Sequence, residues 1–127
     1  MEKVQQLQSE IKKWSDETFG NHRIATPIIH HLDKEINEVL VALTGYYMGV
    51  YSNSTSADDG NELLEKMHYR VRMEFADCFT LLIDAAAHAD IDMETLINDS
   101  FDKLEINKKR KWGEPDENGV IEHIHEE

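Results

Sequence analysis

Apolar residues recur every three or four positions along most of the chain, the spacing that predicts amphipathic α-helices. The first such segment covers about residues 2 to 17, and we expect its helix to end near Gly20. Its apolar positions are Val4, Leu7, Ile11 and Trp14. A second segment opens at Thr26 and Pro27, a polar cap followed by proline that is typical of a helix start. From there an apolar stripe continues to Leu43.

The pattern is interrupted over residues 45–60, where glycine, serine, asparagine and aspartate crowd together. Such a composition predicts a mobile loop. Asp59 followed three residues later by Glu62 resembles a capping box, which indicates the start of a third helix. That helix is predicted to be long and to reach about Ala89.

A fourth helix is predicted from the cap Asp92 to the region of Gly113, where glycine and proline end the pattern. The residues beyond are acidic and include no Lys or Arg, so 114–127 is predicted to be a flexible acidic tail. With no credible strand, the chain is predicted to be all-α, a four-helix bundle occupying residues 1–113.

Charge restricts the possible partners. The 127 residues include 26 Asp and Glu against 13 Lys and Arg, a formal net charge of −13. Because such a surface repels phosphate backbones and anionic lipid, we expect neither nucleic-acid nor membrane binding. A polyphosphate could still bind if cations accompany it.

Other features of the composition indicate a cytoplasmic protein. The single cysteine, Cys78, permits no disulfide within the chain, which suits a reducing compartment. No stretch approaches the ~18 apolar residues of a membrane span, and the first residues do not resemble a signal peptide. A chain this small buries only part of its apolar surface alone, so we expect a homo-oligomer, a dimer or a tetramer.

Two pairs of carboxylates lie where a helix should be apolar. Glu35 and Glu38 are three residues apart on the second helix, and Glu74 and Asp77 have the same spacing on the third. Residues at this spacing share one helix face. At about 100° per residue, Glu74 falls within the apolar arc and Asp77 borders it. On the second helix, Glu35 lies at the edge of the apolar stripe and Glu38 just outside it. Carboxylates turned toward a core are costly unless they are paired or bound to metal.

These four residues, Glu35, Glu38, Glu74 and Asp77, are therefore the candidate ligands of Mg²⁺ or Mn²⁺, hard ions that prefer oxygen. One of the four, with Glu38 as the candidate, could orient a water molecule or accept its proton. The alternative is a solvated acidic flank in which Glu74 pairs with Arg70 or Arg72.

Lys103, Asn107 and Arg110 on the fourth helix are candidate ligands of a triphosphate. Cations in the last turn of a helix also favour its dipole without any ligand. Trp14 and Phe19 could form the wall of a base pocket, although aromatic residues at helical spacing belong more often to the core.

The order of these motifs resembles the MazG-like all-α NTP pyrophosphohydrolases. The matching residues are Lys34-Glu35-Ile36-Asn37-Glu38, Glu74-Phe75-Ala76-Asp77, Lys103 and Asn107. The resemblance is more specific to the dATP/dGTP diphosphohydrolase (MazZ-type) branch in the stretches 14–20, 31–35 and 107–113.

The resemblance implies a nucleoside triphosphate diphosphohydrolase that cleaves the α–β phosphoanhydride of dATP and dGTP. It also implies Mg²⁺ or Mn²⁺ as the cofactor, bound by Glu35, Glu38, Glu74 and Asp77, with phosphate contacts from Lys103 and Asn107.

Three alternatives remain open at the level of sequence. Related all-α enzymes with the same carboxylates act on dUTP or dCTP, or on dNTPs in general. A ferritin-type metal site would use Glu-x-x-His, which occurs at Glu65/His68 and Glu122/His125. The third alternative is an acidic interaction bundle without enzymatic activity.

Overall fold

The computed structural model describes residues 2–52 and 57–125, and this part of the chain forms four α-helices. The helices are α1 (Glu2–Phe19), α2 (Ala25–Ser52), α3 (Ala57–His88) and α4 (Met93–Lys109). The described residues contain no strand, only an isolated antiparallel bridge between Trp112 and His123. The prediction of an all-α fold with four helices is confirmed. None of the described helices is long and apolar enough for a membrane span.

The chain separates into two compact units, Met1–Met93 and Glu94–Glu127. In the first unit, α2 packs along α3, and α1 packs against α3 on a smaller surface. Among the described residues, the buried apolar ones are Ile28, Ala42, Val71, Ile83, Ala85 and Met93. This core fixes the relative positions of the three helices that carry the candidate site.

The predicted loop over residues 45–60 is wrong for most of its length. Residues 45–52 continue α2 and residues 57–60 begin α3, while 53–56 lie outside the described residues. The glycines permit close helix packing instead of a turn. A Cβ added at Gly49 would lie 3.0 Å from Sδ of Met67, and one added at Gly45 would lie 3.9 Å from its Cε. Tertiary packing therefore outweighs the low helix propensity of glycine here.

Two glutamine side chains of α1 bind α3 and the residues that follow it. Gln8 is 2% exposed, and its Nε2 donates hydrogen bonds to the carbonyl oxygens of Ile83 (3.1 Å) and Ile91 (3.0 Å). Oε1 of Gln5 accepts a hydrogen bond from the backbone N–H of Met93. Since the first N–H groups of a helix have no partner within it, the bond to Gln5 satisfies the first amide of α4, at the buried Met93.

The second unit consists of α4 and a loop that folds back on itself. The N–H of Gly113 donates to the carbonyl of Glu122 (2.9 Å), and that of Ile124 donates to the carbonyl of Lys111 (2.7 Å). Backbone hydrogen bonds therefore connect the residues before and after the turn at 116–119. The domain boundary at residue 113 stays a prediction.

Candidate metal centre and adjoining cavity

Three of the four predicted metal ligands converge. Glu35 on α2 and Glu74 and Asp77 on α3 each offer a carboxylate oxygen, and these oxygens lie within 4.8 Å of one another. We call these three residues the acidic cluster. Glu35 and Glu74 are half-buried and Asp77 is exposed. The i, i+3 spacing on α3 aims two of the carboxylates at the third across the packed α2–α3 pair.

No lysine or arginine in the described part of the chain pairs with the acidic cluster. Its one basic contact is His31, whose Nε2 lies 3.2 Å from Oε1 of Glu35. The alternative in which Arg70 or Arg72 neutralises Glu74 is not observed among the described residues, and Arg72 instead contacts His68 and the Tyr69 ring. Three like charges therefore face one another without a fixed counter-charge.

The pKa of the Cys78 thiol is raised beside the acidic cluster. Burial is the largest cause that raises its pKa, and the charges of Glu35, Asp77 and Glu74 raise the pKa further. The side chain of Cys78 is half-buried.

Glu38, the fourth predicted ligand, is exposed and lies outside the acidic cluster. It follows Glu35 by three residues on α2, which leaves it beside the cluster on the same helix. In the residues that the structure describes, no further group of three histidine, cysteine or acidic ligand atoms converges. Glu65 and His68, proposed as half of a ferritin-type site, are both exposed.

A cavity of about 340 Å³ adjoins the acidic cluster, and we call it the aromatic cavity. Its lining includes Glu35 and Asp77 together with Trp14, Phe19 and Arg23. The rest of its wall is formed by Ile11, His31, Thr80, Leu81 and Asp84. The rings of Trp14 and Phe19 meet edge to face at 5.4 Å and 87°, and both remain more than half exposed. These aromatic side chains therefore face the cavity instead of the core.

A polar network that the sequence did not predict adjoins the cavity, and two of its members, Arg23 and Asp84, belong to the cavity wall. Nε2 of His88 lies 2.7 Å from Oδ1 of Asp16, and its Nδ1 lies 2.8 Å from the carbonyl oxygen and 3.1 Å from Oδ1 of Asp84. On the other side of Asp84, its Oδ2 is 3.7 Å from Nη1 of Arg23, which donates a 2.7 Å hydrogen bond to Oγ of Ser15. The network joins α1 and α3 to the segment that precedes α2.

Asp84 is the buried acid of this network. It is only 3% exposed, and its Oδ1 has no hydrogen-bond partner in the described structure apart from its ionic contact with His88. A buried carboxylate requires cations around it. His88 and Arg23 supply them.

The charge state of the network follows from its contacts. Burial lowers the pKa of His88, but the hydrogen bond to Asp16, the backbone contact with Asp84 and the two carboxylate charges outweigh it, so the pKa is raised. The hydrogen bond from Lys12, followed by that from His88, lowers the pKa of Asp16. Both shifts favour an imidazolium between two carboxylates.

The second unit carries the predicted phosphate ligands. Lys103 is exposed, Asn107 and Arg110 are half-buried, and Nη1 of Arg110 donates to Oδ1 of Asn107 (3.1 Å). Burial and then the charges of Arg110, His125 and Lys103 lower the pKa of His123. A cleft of about 490 Å³ between the end of α4 and the folded-back loop is lined by Lys109, Arg110, Lys111, His123, Ile124 and His125. This surface is positive within a strongly acidic protein.

The model of the dATP/dGTP pyrophosphohydrolase family matches residues 58–127, more than half of the chain. The chain belongs to this family. As a dATP/dGTP pyrophosphohydrolase it is a hydrolase that acts on nucleoside triphosphates, which excludes the interaction bundle without enzymatic activity. The matched residues include Glu74 and Asp77, whereas Glu35 and the aromatic wall precede them. No curated protein and no solved structure matches the chain significantly.

Proposed function

We propose that this dATP/dGTP pyrophosphohydrolase converts dATP and dGTP to dAMP and dGMP plus pyrophosphate, with Mg²⁺ or Mn²⁺ bound by Glu35, Glu74 and Asp77. The observation that carries the proposal is the convergence of three carboxylates that no lysine or arginine of the described chain neutralises. The family supplies the reaction class.

The acidic cluster fits such an ion. The oxygen ligands of one octahedral Mg²⁺ are separated by about 3.0 Å when adjacent and by about 4.2 Å when opposite. The cluster oxygens lie within 4.8 Å of one another, so small side-chain rotations bring them to ligand distance. All three donors are carboxylate oxygens, which hard divalent cations prefer over softer ligands. A bound ion would also relieve the repulsion between the three charges.

The proposed reaction is the addition of water to a phosphorus of the α–β phosphoanhydride, with release of pyrophosphate. A divalent ion in this position supplies a Lewis acid that neutralises charge on phosphoryl oxygens and activates water. The chain contributes the carboxylates that hold the ion and a carboxylate that accepts the proton of the attacking water. Glu38 is the proposed acceptor, because it is exposed on α2 three residues from Glu35 and is not part of the cluster.

We propose Lys103, Asn107 and Arg110 as ligands of the triphosphate. The chemistry of these three side chains supports the proposal. Lysine and arginine stabilise phosphate oxygens by charge-assisted hydrogen bonds, and the asparagine amide donates further bonds. The lowered pKa of His123, caused by burial and then by nearby positive charges, is consistent with an anion-attracting surface in this unit.

Trp14 and Phe19 are the proposed contacts for the nucleobase. Base stacking on an aromatic side chain contributes about 1–3 kcal/mol per base. Both rings line a cavity that also contains Glu35 and Asp77, so a base bound against them lies in the same cavity as two cluster carboxylates. A volume of about 340 Å³ is at the small end of ligand pockets, which cover roughly 300–1,000 Å³.

The proposed function is tested by a panel of all deoxyribonucleoside and ribonucleoside triphosphates, assayed with Mg²⁺, with Mn²⁺ and with chelator. We expect pyrophosphate and monophosphate from dATP and dGTP only when metal is present. Preferential turnover of dUTP or dCTP would replace the proposed substrates, and release of orthophosphate with diphosphate would place the cleavage at another bond.

We also propose that the protein acts as a homo-oligomer, a dimer or a tetramer, in the cytoplasm. α2 carries several large apolar residues that are more than half exposed in the single chain: Leu40, Val41, Tyr47 and Met48. An exposed apolar surface of this kind is typical of an association face. Light scattering coupled to gel filtration measures the oligomeric state directly, and a monomer at micromolar concentration would reject the proposal.

A further inference from the structure

Arg23 lines the aromatic cavity, and no other arginine or lysine of the described residues does so. It lies in the segment between α1 and α2, and its side chain is 19% exposed. Its carbon Cζ lies 4.9 Å from the centre of the Phe19 ring, which contributes to the aromatic wall. The guanidinium is therefore next to the surface on which a base would stack.

Two polar contacts fix the guanidinium in this position. Nη1 donates a 2.7 Å hydrogen bond to Oγ of Ser15, which is 1% exposed, and lies 3.7 Å from Oδ2 of the buried Asp84. Asp84 is in turn held by His88. A guanidinium has five N–H donors, and one hydrogen bond accounts for only one of them. Because Arg23 lines the cavity, a ligand bound there lies within reach of its guanidinium.

The pairing with Asp84 decides which part of a nucleotide these donors suit. The positive charge of Arg23 is balanced by a buried carboxylate, so its attraction for a triphosphate is weakened. In residues 2–52 and 57–125, Arg23 forms no ion pair with a member of the acidic cluster. A fixed, charge-balanced donor beside an aromatic wall is suited to an uncharged acceptor on a base.

Adenine and guanine share such an acceptor. Both purines present N7 on the same edge, guanine adds the acceptor O6 beside it, and arginine binds that pair of atoms bidentately. The six-membered ring of a pyrimidine has no N7. We propose, on the basis of the proposed function, that Arg23 donates a hydrogen bond to N7 of the purine and so determines the preference of the enzyme for dATP and dGTP over dCTP and dTTP.

The direct test replaces one atom of the substrate. In 7-deaza-dATP and 7-deaza-dGTP a C–H group stands where N7 accepts the hydrogen bond, and the triphosphate is unchanged. We expect kcat/KM of the wild-type enzyme to fall by about tenfold or more for each analogue relative to its parent. In Arg23→Met, which keeps the length of the side chain but has no donor, we expect parent and analogue to be turned over within about twofold of each other.

Matched variants separate this contact from a loss of folding. Arg70→Met changes an exposed arginine on α3 that does not line the cavity, and it should keep the wild-type discrimination. Because Arg23→Met leaves Asp84 buried with one cation fewer, the double variant Arg23→Met/Asp84→Asn is measured as well, with thermal unfolding of each protein. Comparison of parent and analogue within the wild-type enzyme requires no variant.

Failure of this inference is distinguishable from failure of the proposed function. Equal turnover of dATP and 7-deaza-dATP by the wild type, or unchanged discrimination in Arg23→Met, would overturn the role of Arg23 while pyrophosphate release continues. If the wild type released no pyrophosphate, calorimetric titration with dAMP and 7-deaza-dAMP would still decide. Tighter binding of dAMP supports the contact, and equal affinity rejects it.

Discussion

Nε2 of His88 lies 2.7 Å from Oδ1 of Asp16, a contact between the last residue of α3 and α1 across 72 residues of sequence. The contact fixes the end of α1 that carries Trp14 and Phe19 against the helix that carries Glu74 and Asp77. The aromatic wall and two of the three cluster carboxylates are therefore connected through a titratable bridge.

This bridge predicts a dependence of stability on pH. The pKa of His88 is raised in the folded state, so its contribution is complete below the ordinary value of about 6.5 and is lost as the pH rises through the folded-state pKa. The pKa of Asp16 is lowered, so this carboxylate stays ionised over the same range. We expect the difference in unfolding free energy between the wild type and His88→Gln to decrease from pH 6 to pH 9, measured by urea denaturation. A difference that is constant over this range would contradict the protonated bridge.

Metal binding predicts a change in thermal stability. Without metal, Glu74→Gln removes one of three converging charges, so the variant should unfold at the temperature of the wild type or above it. A ligand at a hundred times its Kd stabilises the folded state by about 2.7 kcal/mol. We therefore expect Mg²⁺ to raise the Tm of the wild type and not that of Glu74→Gln.

The control for this measurement is Glu62→Gln. Glu62 is an exposed residue on α3 that pairs with Lys66 at 3.8 Å and does not belong to the acidic cluster. This variant should respond to Mg²⁺ as the wild type does. An equal response of Glu74→Gln and Glu62→Gln would place the ion elsewhere.

The aromatic wall predicts an effect on substrate affinity alone. Trp14→Ala should raise KM for dATP about tenfold, because one base-stacking contact contributes about 1–3 kcal/mol. The response of the Tm to Mg²⁺ should be unchanged, since Trp14 is not a candidate ligand. Tyr51→Ala removes an aromatic residue that is 87% exposed and serves as the control. An unchanged KM in Trp14→Ala would exclude stacking on this wall.

The two glycines of α2 predict opposite tolerance of alanine. At Gly45 the new Cβ would meet Met67 at an ordinary 3.9 Å, so Gly45→Ala should stabilise the helix by up to about 1 kcal/mol. At Gly49 the Cβ would approach Sδ of Met67 to 3.0 Å and Leu64 to 3.4 Å, so the neighbours must move. Urea denaturation should rank Gly45→Ala above Gly49→Ala, and the reverse order would contradict the close approach of α2 and α3.

Local sequence was sufficient to predict the four helices and the two acidic pairs. Helical periodicity and capping residues depend on neighbours within one or two turns, and the i, i+3 spacing of Glu74 and Asp77 is set by the helix itself. The sequence could not predict which acidic residues converge across helices. The rotation of α2 about its own axis decides which of its residues face α3. In the structure Glu35 meets the α3 pair and Glu38 does not.

The features that the sequence did not predict depend on contacts between distant residues. Gly45 and Gly49 resembled loop residues until Met67 was seen to occupy the space beside them. The burial of Asp84 could not be predicted from its neighbours in sequence, because it depends on Arg23, 61 positions earlier, as well as on His88 one turn later. A histidine one turn after an aspartate on an apolar helix was the signal available for this network.

The most direct test of the central claim is the release of pyrophosphate from dATP as Mg²⁺ is titrated, measured for the wild type, Glu74→Gln and Glu62→Gln. We predict that release requires Mg²⁺, that Glu62→Gln matches the wild type, and that Glu74→Gln is slower by at least about a hundredfold while it remains folded. Release at the full rate in chelator, or by Glu74→Gln at the wild-type rate, would contradict the assignment of the acidic cluster as the metal centre.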